Sequence, residues 1–200
     1  MTTKERFDAA LNEATQAGAA PDQAYGELYE VFRTVVDERP KVVVEIGAWN
    51  GGWLRVIARA CPLDALLISI DPNHDRLKKT RTTYGIEAMG RHCELITLSS
   101  HDPKALERLK ATEGFQPIGV LHIDGDHSYA GAKQDWDTYS AVLRDDGVVI
   151  FHDALNPSFN VVHLCHNLIE NEKDSIARYQ FVHDPAPDFR TGVCIIHTKG

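Results

Sequence analysis

A chain of 200 residues with 43% apolar and 25% charged side chains can bury one substantial core, so a single domain over 1–200 without linkers is expected. Its 29 acidic side chains outnumber the 21 basic ones, and a net charge of -8 argues against a binder of duplex nucleic acid that works by neutralising phosphates. There is no apolar run of about 18 residues and no basic-then-apolar leader at Met1, so no membrane span or secretory signal is expected and a cytoplasmic location is.

Cys61, Cys93, Cys165 and Cys194 are scattered without C-x-x-C spacing, which fits reduced core thiols rather than a zinc site. The ten histidines are spread along the chain, and most are expected to be structural or at the surface.

Phe7, Ala10, Leu11 and Ala14 repeat at helical spacing between Lys4 and Ala17, before Gly18 and Pro21 break the pattern. A second helix is expected from Asp22 to Glu38, with Leu28, Val31, Phe32 and Val35 as its apolar stripe. Tyr25 and Tyr29 lie near that face; they suit packing, and a homodimer contact through this helical pair is possible.

KVVVEIGAWNGGW, from Lys41 to Trp53, is the stretch that organises the rest. Val42, Val43, Val44 and Ile46 read as a strand buried on both faces, running into a loop with Gly47, Gly51 and Gly52 at the start of a helix. Glycines let backbone approach a ligand and allow positive φ, and a helix N-terminus suits a bound polar group. Glu45 is an acid inside that buried strand, and it needs a partner; a cationic or hydroxyl-bearing ligand is the simplest. The glycine spacing departs from G-x-G-x-x-G, which disfavours a nicotinamide enzyme.

A second apolar run, Ala65–Ile70, ends in Asp71-Pro72-Asn73. An acid at a strand tip some 20 residues beyond a glycine loop is placed to accept hydrogen bonds from a ribose, the favoured role for Asp71, while Asp71 or Asn73 can also cap the helix expected over His74–Tyr84. A third strand, Cys93–Leu98, leads to Ser99, Ser100, His101 and Asp102, which either bracket a base or cap the helix Pro103–Thr112. The fourth strand, Ile118–Ile123, delivers Asp124, Asp126 and His127 ahead of a helix over Tyr129–Leu143. The fifth, Gly147–Phe151, delivers His152 and Asp153. Parallel strands all end at one edge, so Asp124 and Asp153 are expected in one crevice, where carboxylates suit a hard divalent cation. An amphipathic helix, Asn160–Asn171, and strands Ala177–His183 and Gly192–His197 complete the chain as an antiparallel edge hairpin. These divisions give N-terminal helices over 1–38, a core over 41–153 and a C-terminal helix and hairpin over 154–200.

In this order EIGAWNGG, SIDPN, HIDGDH and GVVIFHDA resemble the motifs of class I S-adenosylmethionine-dependent methyltransferases. The resemblance implies an α/β, Rossmann-like fold with a seven-stranded, mostly parallel sheet, a C-terminal antiparallel hairpin and helices on both faces. IDGDHSYAGAKQDW with DGVVIFHD is most similar to the small-molecule, metal-dependent O-methyltransferases that act on macrolide or aminocoumarin sugars, to the cephalosporin-hydroxylase-like proteins and, more distantly, to catechol O-methyltransferases. It implies S-adenosylmethionine held by Glu45, Gly47, Gly51, Asp71, Ser100, His101 and Asp124. It also implies a divalent cation, Mg²⁺ or another metal, on Asp124 and Asp153, and His127 as base toward a small-molecule hydroxyl. His152 stands where the sugar enzymes are acidic and Ala154 where the catechol enzymes place an asparagine ligand; an imidazole suits Zn²⁺, Ni²⁺ or Fe²⁺ better than Mg²⁺. The alternatives are metal-independent transfer to nitrogen or carboxylate, and a cofactor-binding accessory protein without catalysis.

Overall fold

The computed structural model of the chain describes residues 1–73, 85–184 and 191–200. The helix expected over 74–84, and the proline-rich turn at 185–190, lie outside the described residues.

Seven strands form one sheet in the order β3-β2-β1-β4-β5-β7-β6. They are β1 (Val42–Ile46), β2 (Leu66–Ile70), β3 (His92–Ile96), β4 (Ile118–Ile123), β5 (Leu143–Phe151), β6 (Ile176–Val182) and β7 (Val193–Thr198). The first five are parallel, and β7 runs antiparallel between β5 and β6. This is the expected fold. The order reverses direction at β1, so the crevice beyond the ends of β1, β2 and β4 is the topological switch point where open α/β sheets hold ligands.

The side-chain period of two explains the burial on both sides of the sheet. Val42, Val44 and Ile46 belong to one core with Ile68, Leu121, Val149 and the helices α4 (Pro103–Lys110), α5 (Tyr129–Tyr139) and α6 (Val161–Asn171). Val43, Leu67, Val120 and Ile150 belong to the other, against α1 (Thr3–Gln16), α2 (Tyr25–Glu38) and α3 (Gly52–Ala58). Glu45 shares the parity of Val43. Among the described residues no helix is long and apolar enough to cross a membrane, and all four cysteines are buried and outside any disulfide.

Three element boundaries differ from expectation by three residues or more. Helix α2 starts at Tyr25 rather than Asp22 because Ala24 takes extended backbone at its N-cap, leaving Asp22 and Gln23 in a loop. Helix α5 stops at Tyr139, a 3₁₀ turn covers Ser140–Val142, and β5 begins at Leu143 rather than Gly147. Leu143 already pairs with Ile118, and the ladder then shifts register before Val120 meets Val148. Such an irregularity hides the strand's start from an apolar pattern. Tyr25 and Tyr29 both pack against the Phe7 ring, with centroids 5.1 and 5.3 Å away.

Candidate active site

Backbone bonding carries the chain past each strand end into a common cleft. Gly47 N donates to Ile70 O at 2.9 Å, Asp71 N to Ile96 O at 3.1 Å, Asp124 N to Ile46 O at 2.9 Å and His152 N to Ile123 O at 3.1 Å. The residues immediately after β1, β2, β4 and β5 are thereby fixed side by side. They wall a cleft of about 680 Å³, lined on one side by Glu45, Gly47 and Asp71, with Ser100 and His101 in its wall, and on the other by Asp124, His127, His152 and Asp153. That size lies within the range of small-molecule and cofactor sites.

At the β1–β2 side the polar groups are held by the fold. Glu45 is buried, and Ser69 Oγ donates to its Oε2 at 2.8 Å. The register explains the pair, since Glu45 lies opposite Ser69 on β2 and opposite His122 on β4. The hydroxyl anticipated from a ligand therefore has an internal counterpart. Asp71 accepts from Ala48 N at 2.9 Å through Oδ2 and from Asn73 N at 2.8 Å through Oδ1, so its carboxylate braces the glycine loop while lining the cleft. Gly47, at φ 87°, has no room for a side chain: a Cβ there would come within 2.1 Å of the Asp124 carbonyl oxygen. Gly51 is not among the residues lining the cleft; at φ 77° it is the left-handed N-cap of α3. Ser100 and His101 are anchored from behind, Ser100 O accepting from Tyr139 Oη at 3.0 Å and His101 Nε2 lying 3.3 Å from Asp135 Oδ1.

The β4–β5 side is a cluster of charge. Asp124, His127, His152 and Asp153 each turn one ligand atom inward, and those four atoms lie within 4.8 Å of one another. His127 Nε2 is 3.1 Å from Asp124 Oδ1 and 3.2 Å from Asp153 Oδ2. His152 Nδ1 is 3.0 Å from Asp124 Oδ1 and 3.6 Å from Asp153 Oδ2. Burial pushes the Asp124 carboxyl up, but His152 and His127 outweigh it and hold it well below the usual carboxylate range. Burial likewise opposes charge on His152, yet Asp124 and Asp153 raise its pKa to about 9. The hydrogen bond to Asp124 raises His127. The carboxylates thus favour the protonated form of both imidazoles. Two carboxylate oxygens and two imidazole nitrogens at this spacing are also a donor set that one divalent cation can bridge.

Three neighbours were not legible as site residues. Gln23, from the loop before α2, lines the cleft, and its Nε2 donates to Asp124 Oδ2 at 3.3 Å. Asn156 Nδ2 donates to Asp153 Oδ1 at 3.1 Å. His122, one strand position behind Ile123, stacks on Trp53 with ring centroids 4.0 Å apart, and burial drives its pKa down to about 3, so it is neutral.

Comparisons with known proteins agree with this architecture. Residues 44–154 match a family described as a methyltransferase domain. An uncharacterized protein of Acanthamoeba polyphaga mimivirus is 30% identical over 115 residues, covering 55% of this chain and 50% of that protein; the match thus spans half the length of the curated relative. Among solved structures, the O-methyltransferase TomG from Streptomyces achromogenes, in complex with SAM, superposes with a TM-score of 0.70 at 15% identity, over 98% of this chain and 90% of its own. A putative caffeoyl-CoA O-methyltransferase from Staphylococcus aureus gives 0.69 at 15% identity, over 97% and 92%. The MycE methyltransferase of the mycinamycin biosynthetic pathway, in complex with Mg, SAH and mycinamycin VI, gives 0.66 at 16% identity, over 95% of this chain and 54% of its own. The fold is that of the class I, S-adenosylmethionine-dependent enzymes, and with more than half of its residues inside the matched segment the chain belongs to the methyltransferase domain family.

Proposed function

We propose that the protein transfers a methyl group from S-adenosylmethionine to a hydroxyl of a small molecule, assisted by a divalent cation. The observation that carries this reading is the juxtaposition, in one cleft, of an acid-and-glycine wall with a carboxylate–imidazole cluster. Glu45, Gly47 and Asp71 would hold the methionine and ribose parts of the cofactor, with Ser100 and His101 beside the base. S-adenosylmethionine supplies an electrophilic methyl group on a sulfonium, so the protein's task is to align an oxygen nucleophile in line with it. A cation on Asp124, Asp153 and His152 would supply Lewis acidity that makes a nearby hydroxyl easier to deprotonate.

His127 is the residue placed to take that proton. Its side chain is 30% exposed toward the cleft, against 7% for His152, so an acceptor can reach it. Phe159 stacks on the ring with centroids 4.5 Å apart and fixes its plane. With a cation on the carboxylates in place of the imidazole proton, His127 Nε2 would be unprotonated and would take the acceptor's proton as the new C–O bond forms and the C–S bond breaks.

The test pairs binding with turnover. S-adenosylhomocysteine should bind by calorimetry, and methyl transfer to a panel of catechols and sugar alcohols should be abolished by EDTA. His127→Ala should lower kcat by roughly 10²–10⁴ without weakening S-adenosylhomocysteine. Failure to bind S-adenosylhomocysteine overturns the whole reading, and full activity in EDTA removes the cation from it.

A further inference from the structure

We infer that His152 is a metal ligand that makes this a mixed nitrogen–oxygen centre, selective for a first-row transition metal over Mg²⁺; the inference rests on the cation-assisted reading of the same cluster. Strand β5 ends at Phe151, so strand alternation no longer sets where the next side chains point. His152 and Asp153 aim at one point, with Nδ1 and Oδ2 3.6 Å apart. Asp153 takes φ 54° in this turn, a left-handed conformation uncommon for a non-glycine residue. Such strain persists where the surrounding structure enforces it, and it clusters at functional sites. His152 itself is tied down by its N–H bond to Ile123 O at 3.1 Å.

The carboxylates are oriented for the same point. Each gives one oxygen to a neutral amide, Asp124 Oδ2 to Gln23 and Asp153 Oδ1 to Asn156. The remaining oxygens, Asp124 Oδ1 and Asp153 Oδ2, are the ones that face His152 Nδ1. With its side chain 7% exposed against 30% for His127, His152 is the less reachable of the two imidazoles for an acceptor in the cleft. What it can do is ligate. Mg²⁺ favours an oxygen shell that keeps several waters, whereas an imidazole nitrogen suits Co²⁺, Ni²⁺, Zn²⁺ and Fe²⁺.

Almost any nitrogen- or oxygen-bearing site prefers these ions to Mg²⁺ to some degree, so the informative quantity is the change in preference when the nitrogen is removed. Metal-stripped protein would be titrated calorimetrically with Co²⁺ and with Mg²⁺, alongside His152→Asp and His152→Gln. The Co²⁺/Mg²⁺ affinity ratio should fall at least about tenfold in His152→Asp, and Co²⁺ affinity should fall in His152→Gln. The Co²⁺ form should also show a strongly shifted imidazole N–H proton resonance that both variants lose. An unchanged ratio with an unchanged resonance pattern in either folded variant, or no binding of either ion by the parent protein, overturns the inference. S-adenosylhomocysteine affinity, measured in parallel, separates the two readings: binding without this metal selectivity sinks only the inference, and selectivity without cofactor binding sinks only the cofactor assignment.

Discussion

The two sides of the cleft hold their acids in opposite ways. Beside β1 and β2, Glu45 accepts from a serine hydroxyl and Asp71 from two backbone N–H groups, neutral donors that belong to the fold. Beside β4 and β5, Asp124 and Asp153 face two imidazoles whose charge depends on pH. The first side is organised before anything binds. The second is balanced by protons that a cation can replace, so it is the half of the cleft where occupancy and conditions should matter.

Removing charge from the second side should have the largest effect. Asp153→Asn keeps a residue type that tolerates positive φ but deletes a carboxylate from the cluster, and it should lower turnover on the order of 10²–10³-fold. S-adenosylhomocysteine affinity should stay as in the parent protein. A matching loss of both would mean that the two sides are not separable.

The first side should break in stability rather than in metal response. In Gly47→Ala the φ of 87° strains any L-residue, and the new methyl would meet the Asp124 carbonyl oxygen at 2.1 Å. A loss of at least about 2–3 kcal/mol is expected from urea unfolding. A parental midpoint would show that the loop moves freely, contrary to a preorganised wall.

Acidity sharpens the same contrast. His152 has its pKa raised to about 9 and His127 is raised as well, so the folded metal-free protein binds these protons more tightly than the unfolded chain. The stabilisation from His152 is fully present below about pH 6.5 and is lost as pH rises through about 9, with His127 acting in the same direction. The melting temperature of the metal-free protein should therefore decline across that window, and His152→Gln should flatten the decline. Cation affinity should change in the other direction, rising with pH because ion and proton compete for the His152 nitrogen.

What could be read from the sequence follows the same division by distance. Strands buried on both faces leave nearly unbroken apolar runs, so β1, β2 and β4 were visible, and so were the acids that follow them. Asp124 and Asp153 could be assigned to one edge because parallel strands share a direction. The partner of Glu45 could not be found that way, since Ser69 meets it only through strand register. Nor does any local pattern announce positive φ at an aspartate, and it is this turn that adds His152 to the cluster. Gly51 illustrates a related point: glycine serves a left-handed cap and a ligand approach equally well, and the cap is visible only in the backbone.

Gln23 is the residue that periodicity actively concealed, because the expected helix began before it and would have made it one more polar position on an exposed turn. Instead it stays in the loop and reaches Asp124 from 101 positions away in sequence. Its Oε1 is buried without a hydrogen-bond partner among the described residues, and its Nε2 is the atom that bonds Asp124. Gln23→Ala should free Asp124 Oδ2 and let the carboxylate rotate away from the shared point. Outer partners of this kind typically tune metal affinity by about 10–100-fold, and this bond, long at 3.3 Å, belongs at the lower end. Calorimetry should then find Co²⁺ binding weakened roughly tenfold, with stability changed by no more than about 1 kcal/mol. Unaltered Co²⁺ affinity would mean that Asn156 and the imidazoles alone suffice to orient the carboxylates, and that the N-terminal loop only covers the cleft.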